Sequence, residues 1–459
     1  MRRSLVFGDD WIEADLPDDV LVMPPGVSAG VEAAADLSAT VDRALKEPLD
    51  RPPLREQVRS GMKVTVAFDD PTVPCYAPVW ETAIPAILME LEKGGVATDD
   101  ISLLCANALH RKFTLDELAR TIGDDVVEQH RDRITCHDAE DPDRLVHLGT
   151  TPSGLDVELN SAVVESDLTV YLNCSTMRGF SGGWKSVCVG LSSYRSIHHH
   201  HTPDIMSMSL DRNRMHAMLD EMGALVERQL DAERVFKLET VLANPLEVHA
   251  IYSGSVGATR KKVIDTLRAH QGSRRDMLDE PVDVVVYGVP DWSPYAAFSH
   301  TNPILDLIST GLGYLGGVIQ AFGRPGCTVI LASPCRDRWD RQHHASYPEV
   351  WSEVLPVTKD PDEARMRFEP ELAARDDYID KYRFDNAFHP VHAVMALYPL
   401  KRLRHAARVI VAGAEDESVP AHCGFDAAPT IETALDMAHA EGDASRVALV
   451  EYPPAFNRQ

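Results

Sequence analysis

The sequence has little positive charge, few lysines and no long apolar run. Lysine and arginine number 45 against 71 aspartates and glutamates, which leaves a formal net charge of −26. A field of that sign repels phosphate backbones and argues against nucleic acid binding, although local cations can still attract a small anion. Only 11 of the 45 basic residues are lysines, so a lysine inside a motif stands out.

Other absences narrow the class of protein. No run of roughly 18 apolar residues is present, and the first ten residues turn acidic too soon for a signal peptide. Both observations favour a cytoplasmic protein. The eight cysteines include no Cys-x-x-Cys pair, which argues against a disulfide framework or a zinc ribbon. With 459 residues and 44% hydrophobic content, the chain is long enough for two or three globular domains.

Short apolar runs alternate with amphipathic stretches along the whole chain. This alternation predicts an α/β fold with two α/β domains and an active site in the cleft between them. We place the boundary in a basic, polar stretch, so that residues 1–275 form a cofactor-binding and catalytic domain and 276–459 close over the substrate. The first 60 residues are expected to wrap the first domain. Strands are predicted at 63–68, 101–106, 133–136, 168–173, 282–288, 327–332, 408–413 and 446–452, and helices at 78–92, 114–122, 207–230, 302–320 and 430–440.

Two of three candidate clusters follow predicted strands, where ligands bind in α/β proteins. The first is 68–74 (FDDPTVP), in which Asp70 and Thr72 can present side chains to a site; an Asp/Pro turn without function is the alternative. The second is 107–112 (NALHRK), in which His110 suits proton transfer near neutral pH. Arg111 and Lys112 are expected to lower the pKa of His110, unless this is only a solvated basic turn.

The third cluster, 179–185 (GFSGGWK), is the strongest. Backbone amides of Ser181, Gly182 and Gly183 can approach an anion closely. Lys185, directly after them, is expected to pair with a phosphate or attack a carbonyl or thioacid carbon. Four consecutive histidines follow at 198–201, and imidazole suits nickel, zinc, copper and iron. A polar loop with exposed histidines is the alternative.

Taken in order, these motifs resemble the nickel-dependent lactate racemase family. The resemblance covers most of the chain, is clearest from 63 to 201, and is most specific where GFSGG-x-K is followed sixteen residues after the lysine by His201, with Gly190 between them. It rests on Asp70-Pro-Thr, Ala108-Leu-His-Arg111, Cys136-His-Asp138, Leu148-Gly-Thr150, Glu165-Ser-Asp167 and Gly179-Phe-Ser-Gly-Gly-Trp-Lys185.

The resemblance implies a cofactor, a reaction and roles for residues. The cofactor is a nickel-pincer nucleotide, a pyridinium mononucleotide with two thio-acid arms and a nickel ion, made by dedicated synthesis enzymes. By this resemblance, Lys185 is expected to attach the cofactor covalently and His201 is expected to bind the nickel ion. His110, together with Asp70, is expected to act as the base that takes the hydroxyl proton of a 2-hydroxy acid while hydride moves from Cα to the pyridinium ring. Thr72, Gly179, Ser181, Gly182 and Gly183 inherit cofactor contacts.

Substrate-binding positions depart from the family pattern. Ser175 stands where the family has a second histidine base, and Val73 where it has an arginine for the substrate carboxylate. The stretch 299–309 has neither the Gln nor the Lys that touches substrate in the family. Loss of an arginine removes a bidentate, charge-assisted contact, which favours a substrate other than lactate. The candidates for replacement substrate contacts are Ser175, Arg178, Arg195, His300 and Asn302.

Three functions therefore stay open. The leading hypothesis is a racemase or epimerase of a 2-hydroxy acid other than lactate. The second keeps the cofactor but has a single base, so that the enzyme oxidises or isomerises one stereoisomer. The third is a non-catalytic protein that binds the cofactor or a ligand. Trp184 is expected either to pack on the cofactor ring or to belong to the core.

Overall fold

The computed structural model describes residues 1–23, 31–175, 180–206, 213–231, 233–270, 278–440 and 446–451. The chain divides into two compact units. The N-terminal unit comprises residues 30–271 and 382–386, and the C-terminal unit comprises residues 1–29, 272–381 and 387–459.

The N-terminal unit is built on a six-stranded sheet. Its strand order is that of a doubly wound fold, with the order reversing between the first and fourth strands in sequence, where ligands bind beyond the carboxyl ends. All neighbouring strands are parallel except Val235–Asn244 and Glu247–Gly254, which pair in the antiparallel direction. Across the sheet the strands are Glu247–Gly254, Val235–Asn244, Leu168–Ser175, Val64–Asp69, Ile101–Ala106 and Ile134–Cys136.

Helices and a small ribbon complete this unit. The predicted helix at 114–122 is confirmed as Leu115–Ile122, because the Thr114 side chain accepts from Glu117 N and Glu117 caps Thr114 in return. Leu145–Thr150 and Asp156–Asn160 pair as an antiparallel ribbon. The helices are Leu37–Lys46, Val79–Lys93, Leu115–Ile122, Asp124–His130, Ser161–Glu165, Lys185–Cys188, Tyr194–Ile197, Arg214–Leu230 and Val256–His270, with single 3₁₀ turns at Leu54–Glu56, Thr98–Asp100 and Arg131–Arg133.

The C-terminal unit contains a second six-stranded sheet, which is parallel throughout. Its inner strands are apolar on both faces, as expected for a parallel sheet covered on both sides. An antiparallel ribbon, Arg2–Phe7 with Asp10–Asp15, belongs to the same unit. In order across the sheet the strands are Asp426–Ala428, Arg408–Ala412, Gly323–Ala332, Val282–Gly288, Val447–Val450 and Leu21–Met23.

The predicted helix at 302–320 is a wider π-helix, Ile304–Tyr314, followed by Gly317–Phe322. In the described chain the segment Ile304–Phe322 has the length and composition of a membrane span, and 72% of it is buried inside the protein, as in a core helix. The other helices of this unit are Tyr347–Glu349, Pro361–Ala373, His392–Met395, Ser418–His422 and Ile431–His439, with Val350–Val354 as a π-turn and Pro294–Ala296 and Tyr398–Arg404 as 3₁₀ turns. Helix Asp376–Phe384 begins in this unit, and its last residues, from 382 onward, belong to the N-terminal unit.

The α/β class predicted from the sequence is confirmed, but the N-terminus lies elsewhere than expected. Strand Leu21–Met23 pairs with Val447–Val450, so the first residues complete the sheet of the C-terminal unit rather than wrap the N-terminal one. The units divide between residues 271 and 272, a few residues before the expected boundary at 275. The roles assigned to the two stretches stay predictions.

Candidate active site

A histidine and a carboxylate face each other at the carboxyl edge of the N-terminal sheet. Asp70 follows strand Val64–Asp69, and His110 follows strand Ile101–Ala106, which is its neighbour. Nδ1 of His110 lies 2.8 Å from Oδ2 of Asp70 and 3.1 Å from Oγ1 of Thr72. Thr72 donates to Asp70 through both its amide and its hydroxyl. Because Asp70 is buried and His110 is 25% exposed, the carboxylate orients an imidazole whose ring is open to a ligand.

The turn that carries His110 is strained. Ala108 has φ of 51°, a left-handed conformation that residues other than glycine adopt at a cost of about 1–3 kcal/mol. The Ala108 amide donates to the Gly190 carbonyl, and Tyr382 OH donates to the Ala108 carbonyl. Such strain persists only where surrounding contacts determine it, and here it presents His110.

The two cations beside His110 have their own partners. Arg111, 1% exposed, pairs with Glu117 at 2.7 Å. Lys112 pairs with Asp138 at 2.9 Å. Each of the two cations is therefore paired with a carboxylate that the sequence alone did not identify.

Lys185 begins the short helix Lys185–Cys188 and is half-buried. Its Nζ atom lies 4.1 Å from the centroid of the Phe180 ring. Burial lowers the pKa of Lys185 to about 8; the carboxylates of Asp69 and Asp70 oppose this shift and the guanidinium of Arg260 adds to it. A substantial fraction of neutral amine near neutral pH is what nucleophilic attack requires.

The glycine loop before Lys185 has an unexpected partner. Gly182 and Gly183 have φ of +87° and +58°, conformations that favour glycine. The Gly183 amide, expected to bind an anionic ligand, donates instead to Oε1 of Glu239 at 2.5 Å. The Ser181 carbonyl accepts from Arg260 at 2.6 Å.

The histidine run divides into an outer and an inner pair. His198 and His199 are half-buried, and Nε2 of His199 lies 3.6 Å from Asp156. His200 and His201 are buried, and their Nδ1 atoms lie 2.8 Å apart. Burial, together with Lys185 and the neighbouring histidines, lowers the pKa of His200 to about 3. Where Nδ1 of His201 donates to Nδ1 of His200, Nε2 of His201 keeps the lone pair that a metal ion would need.

The remaining predicted residues lie on several different elements of the two units. Ser175 ends strand Leu168–Ser175 and is buried. Arg195 lies near the surface and pairs with Asp156 at 3.1 Å. In the C-terminal unit, His300 is exposed, while Asn302 is fully buried and its Oδ1 accepts from Leu305 N. Arg178 and Gly179 lie outside the described residues.

Trp184 belongs to the core. A Cβ atom added to Gly223 would lie 2.2 Å from the Trp184 ring, so this ring packs directly on helix Arg214–Leu230. Of the two roles left open for Trp184, the structure favours packing.

Several buried charged side chains near Lys185 were not predicted from the sequence. Lys237 and Glu239 lie on strand Val235–Asn244 and are both 0% exposed. Asp69 lies two strands away and accepts from Asn173 and from the Cys174 amide; burial raises its pKa. The sequence did contain a signal, since the mostly apolar run 235–243 (VFKLETVLA) includes two charged residues two positions apart. Lysine and glutamate are almost never fully buried unless they are paired.

Comparison with known proteins shows what this chain is similar to. Residues 7–212 match the lactate racemase N-terminal domain. This match supports the resemblance to the lactate racemase family that the sequence motifs indicated. It is 27% identical over 234 residues to a lactate racemase of Lactiplantibacillus plantarum, covering 50% of this chain and 53% of that protein. A lactate racemase of Thermoanaerobacterium thermosaccharolyticum is 28% identical over 207 residues, covering 44% and 47%. The matches thus span about half the length of these relatives.

The similarity in fold extends beyond residues 7–212. The structure of the lactate racemase apoprotein from Thermoanaerobacterium thermosaccharolyticum superposes with a TM-score of 0.69 at 19% identity, covering 100% of both chains. At that identity the likeness concerns the fold alone. It accounts for the two α/β units, whereas chemistry must be argued from the side chains.

Proposed function

We propose that the protein is a racemase or epimerase of a 2-hydroxy acid, with a nickel-pincer nucleotide attached at Lys185. The observation that carries the proposal is electrostatic proximity. The carboxylates of Asp69 and Asp70 act on the amine of Lys185, and Asp70 also holds His110. An attachment lysine and an oriented base therefore share one edge of one sheet.

The side chains fit such a cofactor better than a bare metal ion. Among the described residues no group of three or more His, Cys, Asp or Glu is arranged to hold a metal. A nickel ion that arrives with sulfur ligands needs only one protein ligand, and His201, backed by His200, can serve. Bound there, the nucleotide would supply the hydride acceptor.

Each residue of the proposed site then has a separate role. His110 takes the hydroxyl proton of the substrate at Nε2, because Nδ1 is engaged with Asp70 and Thr72. The Asp70 carboxylate stabilises the imidazolium that forms. Lys185 provides a neutral amine for attachment.

The substrate is proposed to be a 2-hydroxy acid other than lactate. Val73 and Ser175 stand where the resemblance leads one to expect an arginine and a second histidine. Ser175 Oγ is buried and has no hydrogen-bond partner among the described residues, and a serine hydroxyl cannot act as a free base at neutral pH. A bare carboxylate would lack its usual anchor.

A second function follows from Ser175. With one histidine base, the enzyme would process a single stereoisomer without racemising it. A chiral assay separates the two cases, since a racemase converts either enantiomer into a mixture and a single-base enzyme leaves one enantiomer unchanged.

The deciding experiment is intact-protein mass and nickel content after co-expression with the cofactor-synthesis enzymes. We expect an added mass and about one nickel per chain, both lost in Lys185→Ala. A His198→Ala variant is the matched control, since His198 belongs to the outer pair and should load normally. Absence of added mass and nickel, while a co-expressed lactate racemase loads, would exclude the proposal.

Loaded protein should then be screened against both enantiomers of 2-hydroxy acids of increasing size. The Val73→Arg variant should bind lactate at least about tenfold more tightly, because it restores a charge-assisted contact to a carboxylate. An equally weak response to lactate with and without the arginine would argue against position 73 as the anchor.

A further inference from the structure

One buried ion pair contacts the chain on both sides of Lys185, at the backbone amide of Gly183 and at the side chain of Ser186. Glu239 accepts the amide hydrogen of Gly183 at 2.5 Å. Lys237 donates through Nζ to Oγ of Ser186. Because Lys237 and Glu239 are two residues apart on one strand, they face the same side of the sheet, and residues 183 and 186 straddle Lys185.

The pair itself lies entirely inside the protein. Lys237 Nζ is 3.7 Å from Glu239 Oε1, and both side chains are 0% exposed. The Nζ atom also lies 4.4 Å from the centroid of the Tyr171 ring. Burying two charges costs several kcal/mol per ion, and well-packed apolar residues often stabilise a fold equally well. General stability is therefore a poor explanation for this pair, and its directed hydrogen bonds are a better one.

The conformation of the glycine loop is what the ion pair can control. Two successive glycines with positive φ have a wide choice of conformations. A Cβ atom on Gly182 would lie 3.0 and 3.1 Å from the two carboxylate oxygens of Glu239 and 3.1 Å from Ser175 Oγ. The loop therefore rests directly on Glu239, and an acceptor at position 239 selects one loop conformation.

We propose that Lys237 and Glu239 are positioning residues that hold the Gly183 amide and the Ser186 hydroxyl so that the Lys185 amine points into the site. Glu239 must supply an acceptor to Gly183 and Lys237 a donor to Ser186. The inference concerns the role of Lys185 in the proposed function, but it can be tested on protein without cofactor. Failure of one therefore does not imply failure of the other.

The test measures how fast Lys185 of the purified, cofactor-free protein reacts with a small neutral acylating reagent, N-acetoxysuccinimide, followed by peptide mass spectrometry across a pH series. Exposed Lys63 serves as the internal reference. The groups that act on the Lys185 amine are Asp69, Asp70 and Arg260, and all three stay unchanged in the variants.

Glu239→Gln keeps an acceptor for the Gly183 amide, so the rate at Lys185 should stay within about threefold of the wild-type rate at pH 8. Glu239→Met removes the acceptor and releases the loop. Hydration of the freed amine should then raise the pH midpoint of labelling toward that of Lys63, and the rate at pH 8 should fall by more than about tenfold.

A charge swap distinguishes positioning from simple ion pairing. Lys237→Glu combined with Glu239→Lys keeps opposite charges side by side but places a donor against the Gly183 amide. We expect the swapped protein to label as slowly as Glu239→Met. Recovery of the wild-type rate in the swap would overturn the proposal, because the charges alone would then suffice.

Two further variants guard against loss of folding. Glu90 is also buried, but it lies on helix Val79–Lys93, where it pairs with Arg55 and Lys93. Glu90→Met is therefore the matched control and should leave Lys185 labelling unchanged. If Glu239→Met does not fold, Ser186→Ala removes only the hydroxyl that Lys237 holds and should slow labelling by more than the change allowed for Glu239→Gln. Wild-type labelling in a folded Glu239→Met protein, or in Ser186→Ala, contradicts the positioning role, as does equal loss in Glu90→Met.

Discussion

The Nδ1 atom of His110 lies 2.8 Å from the Oδ2 atom of Asp70. The carboxylate accepts the Nδ1 proton, so the neutral imidazole keeps its lone pair at Nε2, on the side open to a ligand. An asparagine at position 70 can donate to Nδ1 instead and so favour the wrong tautomer. We therefore expect Asp70→Asn to lower kcat by about 10²–10⁴ with little change in KM.

Steady-state kinetics of the loaded protein with each enantiomer measures this effect. Thr72→Val is the control, since it removes a hydroxyl that supports Asp70 but leaves the carboxylate; it should cost about tenfold or less. Equal losses in the two variants would mean that Asp70 does not set the tautomer.

The lowered pKa of Lys185 affects stability in a defined pH window. The folded protein holds the amine with a pKa of about 8, against 10.5 when exposed. Between these values the unfolded chain binds more protons, so stability rises with pH through this window. Below pH 8 the buried charge destabilises the fold, by about 3 kcal/mol at most.

Lys185→Met should therefore raise the free energy of unfolding of cofactor-free protein at pH 7 relative to wild type, and the difference should shrink as the pH approaches 10. Chemical denaturation at several pH values measures it. Lys63→Met, at an exposed position, is the control for general charge effects. A difference that is constant with pH would show that Lys185 is not held with a lowered pKa.

The contact between His200 and His201 should govern nickel retention. His201→Ala should abolish nickel binding in the loaded protein, whereas His200→Phe should weaken it about 10–100-fold, because the partner that fixes the tautomer of His201 is lost. Nickel release into a competing chelator, followed by metal analysis, measures both. His199→Ala should release nickel at the wild-type rate, and an effect there as large as that of His200→Phe would refute the division of the run into an outer and an inner pair.

Close packing of Gly223 against Trp184 should make Gly223 intolerant of a side chain. An added Cβ would lie 2.2 Å from the indole, so Gly223→Ala must displace Trp184 and with it the adjacent Lys185. We expect a loss of about 1–3 kcal/mol of stability and reduced cofactor attachment. Gly257→Ala is the matched control, since a Cβ there meets nothing within 4 Å. Thermal unfolding that is the same for both variants would contradict this packing.

Local signals decided much of the fold and part of the site from the sequence alone. The capping box at Thr114 and Glu117 is a short-range pattern and predicted a helix start correctly, and apolar runs predicted the central strands because burial between helix layers demands them. The clusters after strands 64–69 and 101–106 were expected to bind ligands, because the loops beyond strand ends do so in α/β proteins. Asp70 and His110 meet there.

Only the tertiary structure decided what depends on residues distant in the chain. The N-terminal strand Leu21–Met23 could not be placed from sequence, because parallel pairing with Val447–Val450 leaves no local pattern. The partners of Arg111 and Lys112 and the burial of Lys237 and Glu239 likewise arise from contacts between separate elements. The sequence determined which donors and acceptors the chain carries, and tertiary packing decided which of them meet around Lys185.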